Sequence, residues 1–188
     1  MTDFNIKVEN IVASASFGIK IPLEEIVKNL EGTEYEPEQF PGLVYRVKDP
    51  KTAMLIFSSG KIVCTGGRSV SDVRKAVAKV AKMLETLKLN IPKKYNIQVE
   101  NIVASAQLPG RLDLDKIAFE LENTEYEPDQ FPGLVYRIKQ PKAALLLFSS
   151  GKVICTGVRK VEDVQNSMDY LLKDLKRVNA LKKLKKDN

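Results

Sequence analysis

Apolar and polar residues follow two periods along this chain, in the same order twice. Asn5–Ala13 alternates with period two, which predicts a strand with Ile6, Val8, Asn10 and Val12 in phase. Pro22 then opens a short helix through Leu30, with Leu23, Ile26, Val27 and Leu30 on one stripe. Period two returns over Leu43–Lys48, Ala53–Phe57 and Lys61–Thr65, separated by the turn signals Asp49-Pro50 and Ser58-Ser59-Gly60. A long helix is expected from Ser71 and Asp72, which would supply the cap and a first-turn acid, to about Lys88. Its stripe is Val73, Ala76, Val77, Val80, Leu84 and Leu87, repeated later as Val164, Met168, Leu171, Leu172, Leu175 and Val178. Both stripes read as core packing.

The recurrence is literal. Val8–Ala15 returns unchanged as Val99–Ala106, Thr33–Lys48 returns almost unchanged as Thr124–Lys139, and Phe57–Gly66 returns as Phe148–Gly157, all at an offset of 91 residues. The period is too long for a solenoid unit. It predicts one module folded twice about a pseudo-two-fold axis, with repeats over 1–91 and 92–188 joined by Leu89–Tyr95. Such a body suits a nearly symmetric ligand.

Strands joined by tight turns form an antiparallel sheet, which usually buries one face. Here both faces are apolar: Leu55, Phe57, Val63 and Thr65 point one way, and Met54, Ile56, Ile62 and Cys64 the other. Two helices per repeat cover one face and leave the other over. A second copy of the chain is one occupant for that face. Asn10 and Asn101 favour a ligand, because an amide in the middle of an apolar face needs a specific partner.

Composition narrows the chemistry. The 188 residues carry no histidine, which removes the commonest general base and metal ligand, and no catalytic cluster, metal motif or cofactor motif is visible. Cys64 and Cys155 sit at equivalent strand positions and read as small buried hydrophobes in a reducing compartment. No signal-peptide pattern opens the chain, and the longest apolar run, Ala143–Phe148, is far short of a membrane span. Thirty Lys and Arg against 24 Asp and Glu give a net charge of +6, part of it in Lys176, Arg177, Lys182, Lys183, Lys185 and Lys186. This basic tail, the last dozen residues, is the one stretch whose composition predicts disorder.

The duplicated Glu-Asn-Ile-Val, Tyr-Glu-Pro-x-Gln-Phe-Pro-Gly-Leu-Val-Tyr-Arg and Phe-Ser-Ser-Gly-Lys-x-x-Cys-Thr-Gly closely resemble the conserved core of the TATA-box-binding protein family. The resemblance runs from about Phe4 to about Leu181 and, without a long N-terminal extension, looks archaeal. It implies an α+β fold: a pseudo-two-fold saddle with a curved antiparallel ten-stranded sheet and four helices on its convex face. It implies a general transcription initiation factor, not an enzyme, acting without a cofactor in the cytoplasm at the nucleoid. Its partners would be double-stranded TATA-box DNA, transcription factor B and, through the initiation complex, RNA polymerase, with self-dimerisation through the concave face when free.

By the same resemblance Asn10 and Asn101 donate to minor-groove acceptors, with Val12, Val103, Leu55, Leu146, Val63, Ile154, Thr65 and Thr156 in contact with the bases. Phe40, Phe57, Phe131 and Phe148 match the wedges that kink the duplex. Arg46, Lys48, Lys61, Arg68, Arg137, Lys139, Lys152 and Arg159, with Ser59 and Ser150, match phosphate contacts. Glu127, Asp129 and Gln130 match the loop that recruits transcription factor B; many eukaryotic members carry leucine at the Gln130 position. A single-strand binder that stacks bases on the same aromatics is the competing nucleic-acid reading, but stacking gives Asn10 and Asn101 no task.

Overall fold

The computed structural model describes residues 2–183. They fall into two compact units, one made of residues 10–100 and the other of the described parts of 1–9 and 101–188. The second unit is therefore discontinuous in sequence. Phe4 is buried within it, its carbonyl accepting from Gln107 N at 2.8 Å, and Gln165 Nε2 donates to the Thr2 carbonyl.

The first-repeat unit runs β1 (Lys7–Ser16, from Asn10 onward), α1 (Leu23–Asn29), β2 (Thr33–Glu34), β3 (Leu43–Val47), β4 (Thr52–Ile56), β5 (Lys61–Gly67) and α2 (Val70–Thr86). Its strands pair in the order β2-β3-β4-β5-β1, every pair antiparallel. The second-repeat unit repeats this with β6 (Ile97–Gln107, from Asn101 onward), then adds β7 (Gly110–Leu112) before α3 (Leu114–Glu120). It continues with β8 (Thr124–Glu125), β9 (Leu134–Lys139), β10 (Lys142–Leu147), β11 (Lys152–Val158), α4 (Val161–Arg177) and β12 (Leu181–Lys183). Its order is β6-β11-β10-β9-β8, again antiparallel, with β12 paired to β7.

The long helices pack on one sheet face, α2 against β4 and β5 and α4 against β11. Met54, Ile56, Ile62 and Cys64 are buried with Val73, Val77, Val80 and Leu84, and the second unit buries Leu145, Leu147, Val153 and Cys155 with Val164, Met168, Leu171 and Leu175. Desolvation pushes both thiols up to about 11, so Cys64 and Cys155 behave as the apolar residues the sequence suggests.

Four local details differ from the sequence reading. The cap of α2 is Ser69, whose Oγ accepts from Asp72 N at 3.0 Å, so the helix starts one residue before Ser71. β1 extends three residues past Ala13, because its pairing with β5 continues to Ser16–Lys61. The two-residue edge strands β2 and β8 carry too few residues to show a period. Lastly, α4 reaches Arg177 and Leu181–Lys183 is a strand, where composition predicts disorder. Burial of Ala180, the Leu181–Leu112 pairing and a 2.9 Å ion pair from Lys182 to Asp113 order it. The same lysine is the main reason the Asp113 carboxyl is held below its usual range. Lys185 and Lys186 lie outside the described residues.

Candidate functional site

In each unit the sheet face away from the long helix, α2 or α4, is left open by that helix, and strand register shows what lines it. Cross-strand partners share a face. Val44 pairs with Leu55, Leu55 with Val63 and Val63 with Ser14, so these four form a row across β3, β4, β5 and β1. Val135, Leu146, Ile154 and Ser105 form the same row in the second unit. A second row runs Arg46, Ala53, Thr65, copied as Arg137, Ala144, Thr156. Every apolar member, with Val12 and Val103, is only half-buried. Val44, Ala53 and Ser14 with their copies are members the sequence reading misses; strand alternation alone assigns their parity, but only the register puts them in line.

Asn10 and Asn101 sit on this face and are held by a distortion of the sheet. β5 spends three residues, Cys64 to Gly67, against the two from Ala13 to Ile11, and β11 does the same from Cys155 to Val158 against Ala104 to Ile102. The extra residue is a bulge, made at Gly66 (φ +95°) and Gly157 (φ +91°), a backbone region that side chains disfavour. The bulge turns a backbone N–H out of the ladder. Gly66 N donates to Asn10 Oδ1 at 2.6 Å and Gly157 N to Asn101 Oδ1 at 2.7 Å. A backbone N–H can only donate, so the oxygen end of each amide is fixed and the NH2 end is the one presented. Each Nδ2 donates one hydrogen to the neighbouring hydroxyl, Asn10 to Thr65 at 3.2 Å and Asn101 to Thr156 at 3.1 Å. The second hydrogen remains for a ligand. Apolar rows with a pre-aimed amide donor fit a surface of hydrogen-bond acceptors.

An aromatic pair stands at one end of each unit's face. Phe40 and Phe57 meet edge to face at 5.8 Å, and Phe131 and Phe148 at 5.9 Å. Each pair lies over a glycine: a Cβ on Gly42 would stand 2.6 Å from Phe40 and 3.1 Å from Phe57, and Gly133 has the same relation to Phe131 and Phe148. The Pro-Gly after Phe40 and Phe131 thus supplies the space for the rings. Phe40 and Phe131 remain 40% and 43% exposed. Their hairpins are set by one-turn hydrogen bonds, Phe40 N to Glu36 O at 2.9 Å and Phe131 N to Glu127 O at 3.0 Å.

The cations are solvated. Arg46 and Arg137 flank the open face, paired at 3.8 Å and 3.3 Å with Glu34 and Glu125. Lys48, Lys61, Arg68, Lys139, Lys152 and Arg159 are exposed, as are Ser59 and Ser150 in the turns after Phe57 and Phe148. Lys61 and Lys152 share the parity of Val63 and Ile154 and so belong to the open side. Glu127, Asp129 and Gln130 are exposed on the hairpin before Phe131.

The family model for Transcription factor TFIID (or TATA-binding protein, TBP) matches residues 5–87 and again 96–178. The chain belongs to the TATA-binding protein family. It is 56% identical over 165 residues to the TATA-box-binding protein of Methanobrevibacter smithii, covering 88% of this chain and 91% of that one. It is 45% identical over 183 residues to that of Archaeoglobus fulgidus, covering 96% and 100%. Among solved structures, Methanococcus jannaschii TBP matches at a TM-score of 0.87 and 46% identity, over 92% of this chain and 98% of that one. The two-fold match of a TATA-binding protein module agrees with the duplicated α+β fold, which among the described residues has four helices and ten strands in the two five-stranded sets. Among the described residues no helix is long and apolar enough to cross a membrane.

Proposed function

We propose that this chain is a general transcription initiation factor that binds TATA-box DNA through its open sheet faces, in the minor groove, and bends it. The observation that carries this reading is the pair of tethered asparagines on apolar faces. Minor-groove edges of A·T pairs offer only adenine N3 and thymine O2 acceptors, whereas G·C adds a protruding guanine amino donor. A face that presents Nδ2 and surrounds it with Val12, Leu55, Val63 and Thr65 suits the first and clashes with the second. The phenylalanine pairs at the ends of the faces act as wedges between base steps. Minor-groove wedging is an established behaviour of TATA-binding proteins, and the seating of each ring pair over a glycine supports it here. Arg46, Arg137 and the exposed lysines contact phosphates.

The acidic hairpin of the second repeat, Glu127, Asp129 and Gln130, recruits transcription factor B and through it RNA polymerase, because carboxylates there repel phosphate and attract a basic protein. Selection of bound duplexes from a random pool tests the central claim. An A·T-rich site of about eight base pairs, tolerant of A·T to T·A exchange, is the expected result; selection of a G·C-rich site, or of none, overturns it.

A further inference from the structure

Phe119 is 89% exposed, whereas the other large apolar side chains at the surface of the described residues lie between 37% and 47%. It is not on a loose loop. It sits one residue before the end of α3, whose Leu114 and Ile117 are buried, and Thr124 Oγ1 ties that end to β8 by donating to the Leu121 carbonyl at 3.2 Å. Asp115 and Phe119, one turn apart, share the outward face. The chain that follows is acidic: after Lys116, one turn before Phe119 on α3, residues 117–136 carry Glu120, Glu122, Glu125, Glu127 and Asp129 and no lysine or arginine. All five are exposed, and Glu125 is engaged by Arg137. The first repeat lacks this combination, with exposed Lys28 at the place of Phe119 and Asn29 at the place of Glu120.

A bare aromatic ring on a helix that leads into a stretch of exposed, mostly acidic residues has the make-up of an interface anchor: apolar centre, charged margin. The carboxylates exclude nucleic acid and anionic membranes and select a cationic protein. We infer that Phe119 is the apolar anchor of a protein-docking surface on the second repeat, and that its occupant is a basic protein surface with a recess for one aromatic ring. The inference rests on the reading that the neighbouring hairpin recruits transcription factor B, and extends that surface from the hairpin onto α3.

The test titrates purified transcription factor B onto the full chain bound to TATA duplex, by gel shift, and onto the chain alone, by calorimetry. Three variants are compared: Phe119→Lys, Phe119→Leu and the double reversal Glu127→Lys with Asp129→Lys. Phe119→Lys installs the residue of the first repeat at an exposed position, so melting temperature and DNA affinity should match the parent. Factor affinity should fall about 10-fold, the loss of one anchoring side chain, and Phe119→Leu should retain most of it. If the double reversal weakens the factor and Phe119→Lys does not, the anchor is wrong and the recruitment reading stands. If neither weakens it, both fall. If Phe119→Lys instead changes the sedimentation of the free chain and not factor binding, the occupant is a second copy and the inference is overturned.

Discussion

The two repeats agree in the sheet and disagree at its margins. Asn10 and Asn101 are tethered by bulge amides at 2.6 and 2.7 Å, and the aromatic pairs stand at 5.8 and 5.9 Å. Yet α2 carries Arg74, Lys75 and Lys79 where α4 carries Gln165, Asn166 and Tyr170. Only the second unit has the β7–β12 pair, and only it has Phe119. The same residues give the same geometry in both repeats, which is what the proposed binding of a nearly symmetric duplex requires. Under the proposed function, the divergent margins are what would give that nearly symmetric complex a direction.

The strongest way to break this comparison is to remove one aromatic pair at a time. Phe131→Ala with Phe148→Ala should cost about 2–3 kcal/mol of DNA affinity, on the order of 100-fold, and most of the bend at that end. Phe40→Ala with Phe57→Ala should cost about as much. Unchanged bending in a two-dye distance assay, with folding intact, would make the rings core residues. A large inequality between the pairs would show that the matched geometry hides unequal roles.

The asparagines come next. Asn101→Asp keeps an acceptor for Gly157 N but loses the donor facing the ligand, so affinity should fall about 10-fold and the preference for A·T over G·C should narrow. Asn10→Asp should behave alike, and binding titrations on paired A·T and G·C duplexes would read both. Retained discrimination in both variants would remove the amides from sequence reading.

Stability sharpens the comparison further. Gly66→Ala and Gly157→Ala each place a side chain at positive φ with ordinary contact distances around it, so each should cost about 1–2 kcal/mol in urea unfolding. Tyr136 should differ from its counterpart: its buried hydroxyl donates to Asp174 at 2.6 Å, whereas α2 offers Met83 at the position of Asp174. Tyr136→Phe should cost about 1 kcal/mol and Tyr45→Phe much less. Equal costs would mean the Asp174 contact contributes nothing.

The smallest effect is in pH. Cys64 and Cys155 ionise near 11 in the fold against an ordinary 9.0, so the folded state holds protons that the unfolded chain releases. Their contribution is whole below about pH 9 and is lost as pH rises toward 11. Replacing both by alanine should flatten that part of a stability profile.

Much of this is legible in sequence because periodicity reports burial. The faces of β4 and β5, with Leu55 and Val63 opposite Met54 and Ile62, follow from alternation alone. The bulge does not, since Thr-Gly-Gly and Thr-Gly-Val give no sign of how many residues a partner strand will spend beside them. Nor does the strand at Leu181–Lys183, whose order depends on Leu112 and Asp113, about 70 residues earlier and on a different element. Phe119 does not stand out either, because a phenylalanine in Ile-Ala-Phe-Glu reads as one more apolar residue until its accessibility is known. The roles of the site residues toward DNA rest on resemblance to a family, and the geometry gives those proposals a physical basis.

The discontinuity of the second unit bears on how the molecule is made. Residues 10–100 leave the ribosome as one uninterrupted stretch and can collapse as soon as they emerge, domains commonly folding in order of synthesis. The segment containing Phe4 cannot join them, because the backbone it bonds, at Gln107, and the helix it meets, at Gln165, have yet to be translated. Residues 2–9 therefore reach their place only after residues more than 100 positions later have been made. A cut at the repeat boundary would leave the N-terminal fragment with an unpartnered strand start and the C-terminal fragment without its Phe4 plug. Separately expressed halves should be divided so that residues 1–9 travel with the second.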